Sequence, residues 1–154
     1  MKLKIAAVGR LRAGPEADLV SDYLDRFEKT GRALGLGPVT LQEVDAKRGG
    51  MAAESDLLKK AVSGCSPLCI LDERGKMLSS PDFADLLGRW RDQGQTPGII
   101  IGGADGIDPG LRDKADVAVS FGKMVWPHMM VRVMLAEQLY RAASILAGAP
   151  YHRE

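Results

Sequence analysis

The sequence predicts an α/β fold in which a mostly parallel sheet is covered by helices on both faces. Strand-like segments alternate along the chain with segments whose apolar residues recur at helical spacing, which is typical of this class. The segments Leu68–Leu71 and Gly98–Ile101 are apolar throughout, as expected of strands that are buried on both faces. A chain of 154 residues without an internal repeat or linker is expected to form a single domain over residues 1–154.

The first half of the chain is predicted to contain three strands and two helices. The residues before Gly9 alternate between polar and apolar types, which indicates a strand. Pro15 stands at the first position of a helix, where proline is favoured, and Gly31 and Gly64 stand where two helices end. In order, we expect a strand over Lys2–Val8, a helix from Pro15 to Gly31, a strand over Val39–Val44, a helix over Met51–Ser63 and a strand over Leu68–Leu71.

The second half continues the alternation and ends on a long helix. Ser80 supplies a capping hydroxyl, followed by Pro81 and Asp82, a sequence that favours the start of a helix. In order, we expect a helix from Ser80 to Gly94, a strand over Gly98–Ile101, a short helix from Asp108–Pro109 to about Ala115, a strand over Val117–Ser120 and a helix from Met129 to Leu146.

The last helix has more apolar surface than one core-facing stripe requires. A helix that is apolar on two faces lies either at the centre of a domain or in an interface. We expect a homodimer interface, and the alternative is a helix buried within one chain, with methionines filling gaps. The two stripes consist of Val131, Leu135, Leu139, Ala142 and Leu146, and of Met130, Val133, Met134 and Tyr140.

Composition excludes several classes of protein. The hydrophobic fraction of 45% and the charged fraction of 27% are ordinary for a soluble globular protein. No apolar run approaches the roughly 20 residues of a membrane helix, and Lys2 and Lys4 interrupt the N-terminal apolar segment, so we expect a cytoplasmic protein without a membrane span. Cys65 and Cys69 do not combine with the two histidines in the spacing of a zinc site, so we expect free thiols and no metal.

The net charge of +1 argues against a protein that coats nucleic acid through bulk charge. Binding to RNA would therefore require local basic patches, and each candidate patch can equally be an ordinary solvated surface. The three candidates are Lys2, Lys4, Arg10 and Arg12; Lys47–Arg48; and Arg132, Arg141, His152 and Arg153.

Two glycine-rich turns follow predicted strands. Gly9–Gly14 has the glycine spacing of a phosphate loop but continues as Pro15–Glu16 in place of Lys and Ser or Thr, which argues against that function. Glycines in Gly102–Gly106 would let a ligand approach the backbone closely. Because ligands bind beyond the carboxyl ends of parallel strands, we expect a pocket among this turn, Leu71–Lys76 and Phe121–Trp126. The residues alone name no ligand.

An ordered set of short motifs carries a family resemblance. The motifs are Ile101-Gly102-Gly103, Ser120-Phe121, Trp126-Pro127-His128, Val131-Arg132-Val133, Glu137-Gln138-Leu139-Tyr140-Arg141-Ala142 and Tyr151-His152-Arg153-Glu154. The set resembles the ribosomal RNA pseudouridine N3-methyltransferases of the RlmH (YbeA) family. Lys2-Leu3-Lys4, the Gly49 region and Leu71-Asp72 also match in order and spacing. The resemblance covers the whole chain; the ordered set is specific, although no single motif is.

This resemblance implies a SPOUT-class fold, in which the C-terminal part of the chain threads a trefoil knot and the protein is a homodimer. It also implies S-adenosylmethionine as the cofactor. Threonine is usual in the family where this chain has Val125, and the missing hydroxyl would remove one hydrogen bond while backbone contacts remain. By matching positions, the cofactor contacts fall on Leu71, Gly102, Phe121, Gly122, Lys123, Met124, Val125 and Trp126.

The activity that the resemblance implies is methylation of N3 of a pseudouridine in 23S ribosomal RNA. Three tail residues are the candidates for the chemistry. His152 would accept the proton or hydrogen-bond the base, Arg153 would bind phosphate or an imide oxygen, and Tyr151 would stack on a nucleobase. Since a weakly charged protein binds free RNA poorly, we expect the assembled ribosome to be the substrate.

Three alternatives to this function are open at this point. The chain could be another SPOUT methyltransferase that modifies a ribose 2′-oxygen or a base in tRNA or rRNA. It could be a non-enzymatic dimer that binds the ribosome, with Val125 as a sign of lost turnover. The glycine turn alone would also fit an α/β protein that binds another nucleotide-like ligand.

Overall fold

A computed structural model describes residues 1–153 as a five-stranded sheet with five α-helices. The strands are β1 (Leu3–Val8), β2 (Val39–Val44), β3 (Leu68–Met77), β4 (Gly98–Ile101) and β5 (Val117–Ser120). The helices are α1 (Pro15–Gly31), α2 (Met51–Ala61), α3 (Ser80–Asp92), α4 (Pro109–Lys114) and α5 (His128–Leu146), and a 3₁₀ turn over Arg32–Leu34 follows α1. The sheet order is β2-β1-β4-β3-β5, with all four neighbouring pairs parallel. The predicted α/β class is confirmed, and the trefoil knot stays a prediction.

Strand β3 differs most from its prediction. Leu71 and Lys76 both pair with Val119 of β5, so the residues between them bulge out of the ladder. A Cβ on Gly75 would lie 2.6 Å from the carbonyl carbon of Ala118, which explains why this position has no side chain. The bulge is polar, so the sequence pattern hides the return to strand pairing, and the predicted loop Leu71–Lys76 is in fact part of a strand.

Two helix caps also test the sequence analysis. The hydroxyl of Ser79 accepts a hydrogen bond from the backbone N–H of Asp82 at 3.1 Å, so Ser79 caps α3 and the prediction of Ser80 is wrong by one residue. Ser80 instead donates to the Gln138 side chain at 2.8 Å, which joins α3 to α5. The predicted cap Asp108 is confirmed, since its carboxylate accepts from the N–H of Gly110 at 3.0 Å.

The helices cover the sheet on both faces. One face packs against α1, α3 and α5, and its buried residues include Ile5, Phe27, Leu87, Ile99 and Leu135. The other face packs against α2 and α4, and its buried residues include Ala6, Leu58, Ile70, Ile100 and Leu111. Alternate residues of β1 and β4 thus point to opposite layers, which explains why both strands are apolar throughout.

Helix α5 lies between α1 and α3 on the first face. Val133, from the second predicted stripe, packs with Ala136 against Val20 of α1, so part of that stripe is buried within the chain. Met130 remains 39% exposed. Arg132 is 1% exposed, so it does not contribute to the third candidate basic patch.

The described residues form no membrane-spanning helix, metal-binding cluster or disulfide. Within residues 1–153, no helix has the length and hydropathy to cross a membrane, and no cluster of three or more His, Cys, Asp or Glu could hold a metal ion. Both cysteines are free, with Cys69 buried and Cys65 half-buried. Burial raises the pKa of Cys69 to about 12.

Candidate active site

A cavity of about 620 Å³ opens at the carboxyl edge of the sheet, where β4 and β5 end and β3 bulges after Leu71. Its volume lies in the range of small-molecule sites. The three segments predicted from the sequence all contribute to its wall, so the predicted pocket is confirmed. The lining consists of Leu71–Arg74, Ile101–Ile107, Arg112, Phe121–Gly122, Met124–His128 and Val131.

The structure brings together seven of the eight residues predicted to contact a cofactor. These are Leu71, Gly102, Phe121, Gly122, Met124, Val125 and Trp126, whereas Lys123 is exposed and outside the lining. Met124, Val125 and Trp126 are 74%, 84% and 42% exposed, an unusual run of large apolar side chains at the rim of a cavity. Such a patch marks a surface that a ligand or another protein covers.

The glycines around the cavity have two different explanations. A Cβ on Gly102 would lie 2.8 Å from the Ile107 side chain and 2.9 Å from the Gly106 backbone. Packing inside the turn, rather than clearance for a ligand, therefore requires glycine at position 102. Gly122 has φ 116° and no atom within 4 Å of its Cβ position, so here the backbone is open to a ligand.

The charges of the cavity wall favour a cationic ligand. Three carboxylates and two guanidinium groups line it: Asp72, Glu73, Asp105, Arg74 and Arg112. Arg112 is fixed, since it donates to Asp72 at 3.0 Å and to the carbonyl of Ile107 at 3.0 Å. The formal charge of the wall is therefore −1, which complements a molecule with a sulfonium and an ammonium group and one carboxylate.

A buried ion pair fixes the first half of α5 to the end of β1. Arg132 donates to Glu43 at 2.7 Å and to the carbonyls of Val8 and Gly9 at 3.1 Å each. The same carboxylate oxygen of Glu43 accepts the N–H of Leu11 at 2.5 Å. One guanidinium thereby joins α5, β2 and the β1–α1 loop beside the cavity. The sequence analysis missed this pair, because nothing local signals that residues so far apart are in contact.

His128 lines the cavity at the start of α5. Its Cε1 lies 3.5 Å from the Cβ position of Gly9, and its Nδ1 is buried without a partner among the residues described. Burial lowers the pKa of His128, and the nearby charge of Arg132 lowers it further. The side chain is thus held as a neutral imidazole in the wall.

The C-terminal tail is packed on the second half of α5. The Tyr151 hydroxyl donates to Glu137 Oε1 at 3.0 Å, and Arg141 donates to the same oxygen at 2.7 Å. The rings of Tyr151 and Tyr140 lie 4.5 Å apart, and the Arg141 guanidinium lies 4.8 Å from the Tyr151 ring centre. Burial raises the pKa of Tyr151, as does the neighbouring Glu137 carboxylate. The tail through His152 is therefore anchored, and Arg153 is exposed.

The contacts of His152 determine which nitrogen carries its proton. Arg141 Nη1 lies 3.2 Å from His152 Nδ1, and a guanidinium can only donate, so Nδ1 accepts. A neutral His152 then has its proton on Nε2, which is buried without a partner within residues 1–153. In this arrangement His152 can donate a hydrogen bond, whereas the proton acceptor considered from the sequence would require the other tautomer.

The tail and the cavity are separate within one chain. No residue of 151–153 lines the cavity. The cavity reaches Val131 of α5, while His152 contacts Arg141, ten residues further along the helix. Ten helical residues span ~15 Å. A second cavity, of about 560 Å³, shares Phe121 with the first and extends along α5 to Glu137.

Residues 1–152 match the family model described as Predicted SPOUT methyltransferase. The chain belongs to this family. The protein named Ribosomal RNA large subunit methyltransferase H from Paracoccus denitrificans (strain Pd 1222) is 67% identical to this SPOUT methyltransferase over 155 residues, covering 100% of both chains. The protein of the same name from Cereibacter sphaeroides is 68% identical over 154 residues, covering 99% of both.

A solved structure shares the fold at low identity. The tRNA (m1G37) methyltransferase from Aquifex aeolicus superposes with a TM-score of 0.54 at 14% identity, covering 99% of this chain and 74% of that one. At this identity the similarity shows the SPOUT fold alone.

Proposed function

We propose that this SPOUT methyltransferase transfers a methyl group from S-adenosylmethionine to N3 of a pseudouridine in 23S rRNA on the assembled ribosome. The observation that carries the proposal is the full-length identity of 67% and 68% to two relatives named Ribosomal RNA large subunit methyltransferase H. The cavity at the carboxyl edge of the sheet supports it. Because ribosomes are the proposed substrate, the cytoplasm is the proposed location.

The residues of the cavity fit the proposed cofactor, which supplies an electrophilic methyl group on sulfur. The wall charge of −1 complements its net positive charge, and the exposed apolar rim offers a surface for its adenine. Lys123 would take part through its backbone, since its side chain is outside the lining. The Val125 side chain is 84% exposed, which supports backbone contacts at this position and an unaltered cavity despite the missing hydroxyl. The residues that would hold the cofactor are Leu71, Gly102 and Phe121–Trp126.

The tail residues would act on the base. N3 of a pseudouridine lies between two carbonyls, so its proton is weakly acidic. The exposed Arg153 guanidinium would donate to the imide oxygens and stabilise the deprotonated base, and the proton would leave to solvent. The Nε2–H of His152 is buried and would join it only after the tail rearranges. Alignment of the base with the methyl group would contribute a further several kcal/mol.

The separation of tail and cavity supports a homodimer in which each tail completes the cavity of the partner. A distance of ~15 Å along a rigid helix keeps the two apart within one chain. Leu19, Met77 and Met130 are 42%, 61% and 39% exposed around the second cavity and the adjacent face of α5, and a second copy would cover them. The predicted interface helix is the element that carries both the cavity wall and the tail.

The reaction is tested with ribosomes from cells that lack the endogenous activity. The ribosomes are incubated with the protein and labelled S-adenosylmethionine, and the RNA is digested to nucleosides. We expect the label in 3-methylpseudouridine. Label in another nucleoside would favour a different SPOUT methyltransferase activity. An absence of both label and cofactor binding by calorimetry would favour the non-enzymatic alternative.

The site shared between copies is tested with hybrid dimers. One subunit ends at Pro150, and the other carries Gly102→Leu, which distorts the turn in its cavity wall but keeps its tail. Each variant alone is expected to be inactive, and the co-expressed, separately tagged hybrid is expected to regain one working site. An inactive hybrid of two folded subunits would show that the tail does not act across the interface.

A further inference from the structure

The loops that follow β1 and β2 carry four exposed cations. They are Arg10, Arg12, Lys47 and Arg48. Because β1 and β2 are parallel and pair Val8 with Val44 at their last residues, both loops leave the sheet at the same edge. None of the four cations forms an ion pair with a carboxylate of residues 1–153.

This edge adjoins the cavity. The Val8 side chain lies 3.0 Å from the Cβ position of Gly103, and the His128 ring lies 3.5 Å from that of Gly9; Gly103 and His128 both line the cavity. Arg10 follows Gly9 directly, two residues before Arg12. The backbone at these two cations is therefore within ~4 Å and ~11 Å of chain from Gly9, which lies against the cavity wall.

The β1–α1 loop is also held in place. Arg132 donates to the carbonyls of Val8 and Gly9, and Glu43 accepts the N–H of Leu11. Arg132, which binds the two carbonyls, is 1% exposed. The backbone that carries Arg10 and Arg12 is therefore fixed, which reduces the entropy lost when these two side chains bind a partner.

Positive charge is concentrated at this edge. The two loops, residues 9–14 and 45–50, contain the four cations and Asp45 and have a net charge of +3, whereas the whole chain has +1, so the remainder has −2. Lys2 and Lys4, which the sequence analysis grouped with Arg10 and Arg12, lie at the other end of β1. A six-residue strand separates them by ~20 Å.

We propose that Arg10, Arg12, Lys47 and Arg48 form the RNA-docking surface of this enzyme, binding phosphates next to the nucleotide that enters the cavity. The inference rests on the proposed function and adds the face by which the RNA is held. Guanidinium groups match phosphate oxygens bidentately, and a local cluster can bind RNA where the net charge is too small. The base itself would be recognised in the cavity and by the tail.

The test compares three double variants on ribosomes. Arg10→Gln with Arg12→Gln, and Lys47→Gln with Arg48→Gln, remove the surface in two halves, while Lys2→Gln with Arg32→Gln removes two exposed cations from the opposite edge as a control. We expect each test pair to raise KM for ribosomes about tenfold and to reduce the slope of log K against log salt by about 1 to 2. kcat and the cofactor Kd should stay at wild-type values. A KM and salt slope equal to those of wild type and control would overturn the proposal.

A cross-link identifies the molecule that is bound. Arg12→Cys is made together with Cys65→Ser, and the new thiol carries a photoreactive group; Cys69 is buried and has a pKa of about 12, so it does not compete. A cross-link to rRNA supports the proposal, and a cross-link to ribosomal protein alone overturns it. If wild type methylates ribosomes while the test pairs behave like the control, this inference alone fails. If wild type neither binds cofactor nor methylates, the proposed function fails with it.

Discussion

Each half of α5 carries an arginine that pairs with a glutamate, and the two pairs differ in what they join. Arg132 is 1% exposed and reaches Glu43, 89 residues away in sequence, together with two carbonyls of the β1–α1 loop. Arg141 and Glu137 are 24% and 18% exposed and lie one helical turn apart. The first pair joins separate elements of the fold, whereas the second stays within one helix and holds the tail.

This difference indicates which of the two ion pairs the stability of the fold depends on. Removal of a buried guanidinium that binds three separate groups breaks all three contacts at once. A partly exposed pair at i, i+4 can open to water at small cost. The first half of α5 should therefore govern stability, and the second half should govern activity.

Arg132→Met should have the largest effect on stability. The substitution removes the donors to Glu43, Val8 and Gly9. Because the two carbonyls lose a donor at about 1–3 kcal/mol each, the free energy of unfolding should fall by about 2–5 kcal/mol. Urea denaturation measures the loss, and Arg141→Met is the matched control on the same helix. Equal losses in the two variants would contradict the comparison.

Removal of the residues after Pro150 should reduce the methylation activity more than any other change considered. The tail packs on half-buried residues of α5 outside the core, so the shortened protein should fold and bind S-adenosylmethionine with the wild-type Kd. Loss of the groups that face the base should lower kcat/KM by about 100-fold or more. Methylation of ribosomes and calorimetry measure the two quantities. Wild-type activity in the shortened protein would exclude a role for Tyr151, His152 and Arg153 in the reaction.

The bounds of three strands and the position of the cavity could be predicted from the sequence. The bounds of β2, β4 and β5 agree with the predicted ones, because short runs rich in β-branched residues define them locally. The position of the cavity followed from the parallel sheet, since ligands bind beyond the carboxyl ends of its strands. The identity of the ligand came from the family resemblance alone.

The contacts of α5 with β2 and the β1–α1 loop could not be predicted, because they depend on residues distant in sequence. Nothing near Glu43 indicates that it meets Arg132, and the spacing of Arg132 suggested a surface patch. The continuation of β3 past its polar bulge depends on pairing with β5. The acceptor role of His152 Nδ1 follows only from the position of Arg141.

Gly102→Ala should weaken cofactor binding without affecting the tail. The new Cβ would lie 2.8 Å from Ile107 and 2.9 Å from the Gly106 backbone, so the turn in the cavity wall must shift. We expect a Kd for S-adenosylmethionine about tenfold higher, the equivalent of overpacking by about 1.4 kcal/mol. Gly49→Ala is the control, because no atom lies within 4 Å of its Cβ position. An unchanged Kd would show that the turn does not contact the cofactor.

Of these variants, His128→Gln should change the free energy of unfolding least. Its pH dependence tests whether Arg132 acts on the cavity wall at the start of α5. Burial and the charge of Arg132 lower the pKa of His128 from its ordinary value of 6.5, so the unfolded chain binds this proton more readily than the folded one. Stability is therefore full above that ordinary pKa and falls as the pH decreases below it. The variant has no such group, so its free energy of unfolding should fall less than that of wild type between about pH 7 and pH 5. Burial and Asp105 raise the pKa of Glu54, but this shift is common to both proteins and cancels in the difference. Parallel stability curves for the two proteins would mean that neither burial nor the charge of Arg132 lowers the pKa of His128, and that Arg132 fixes the backbone without acting on the wall of the cavity.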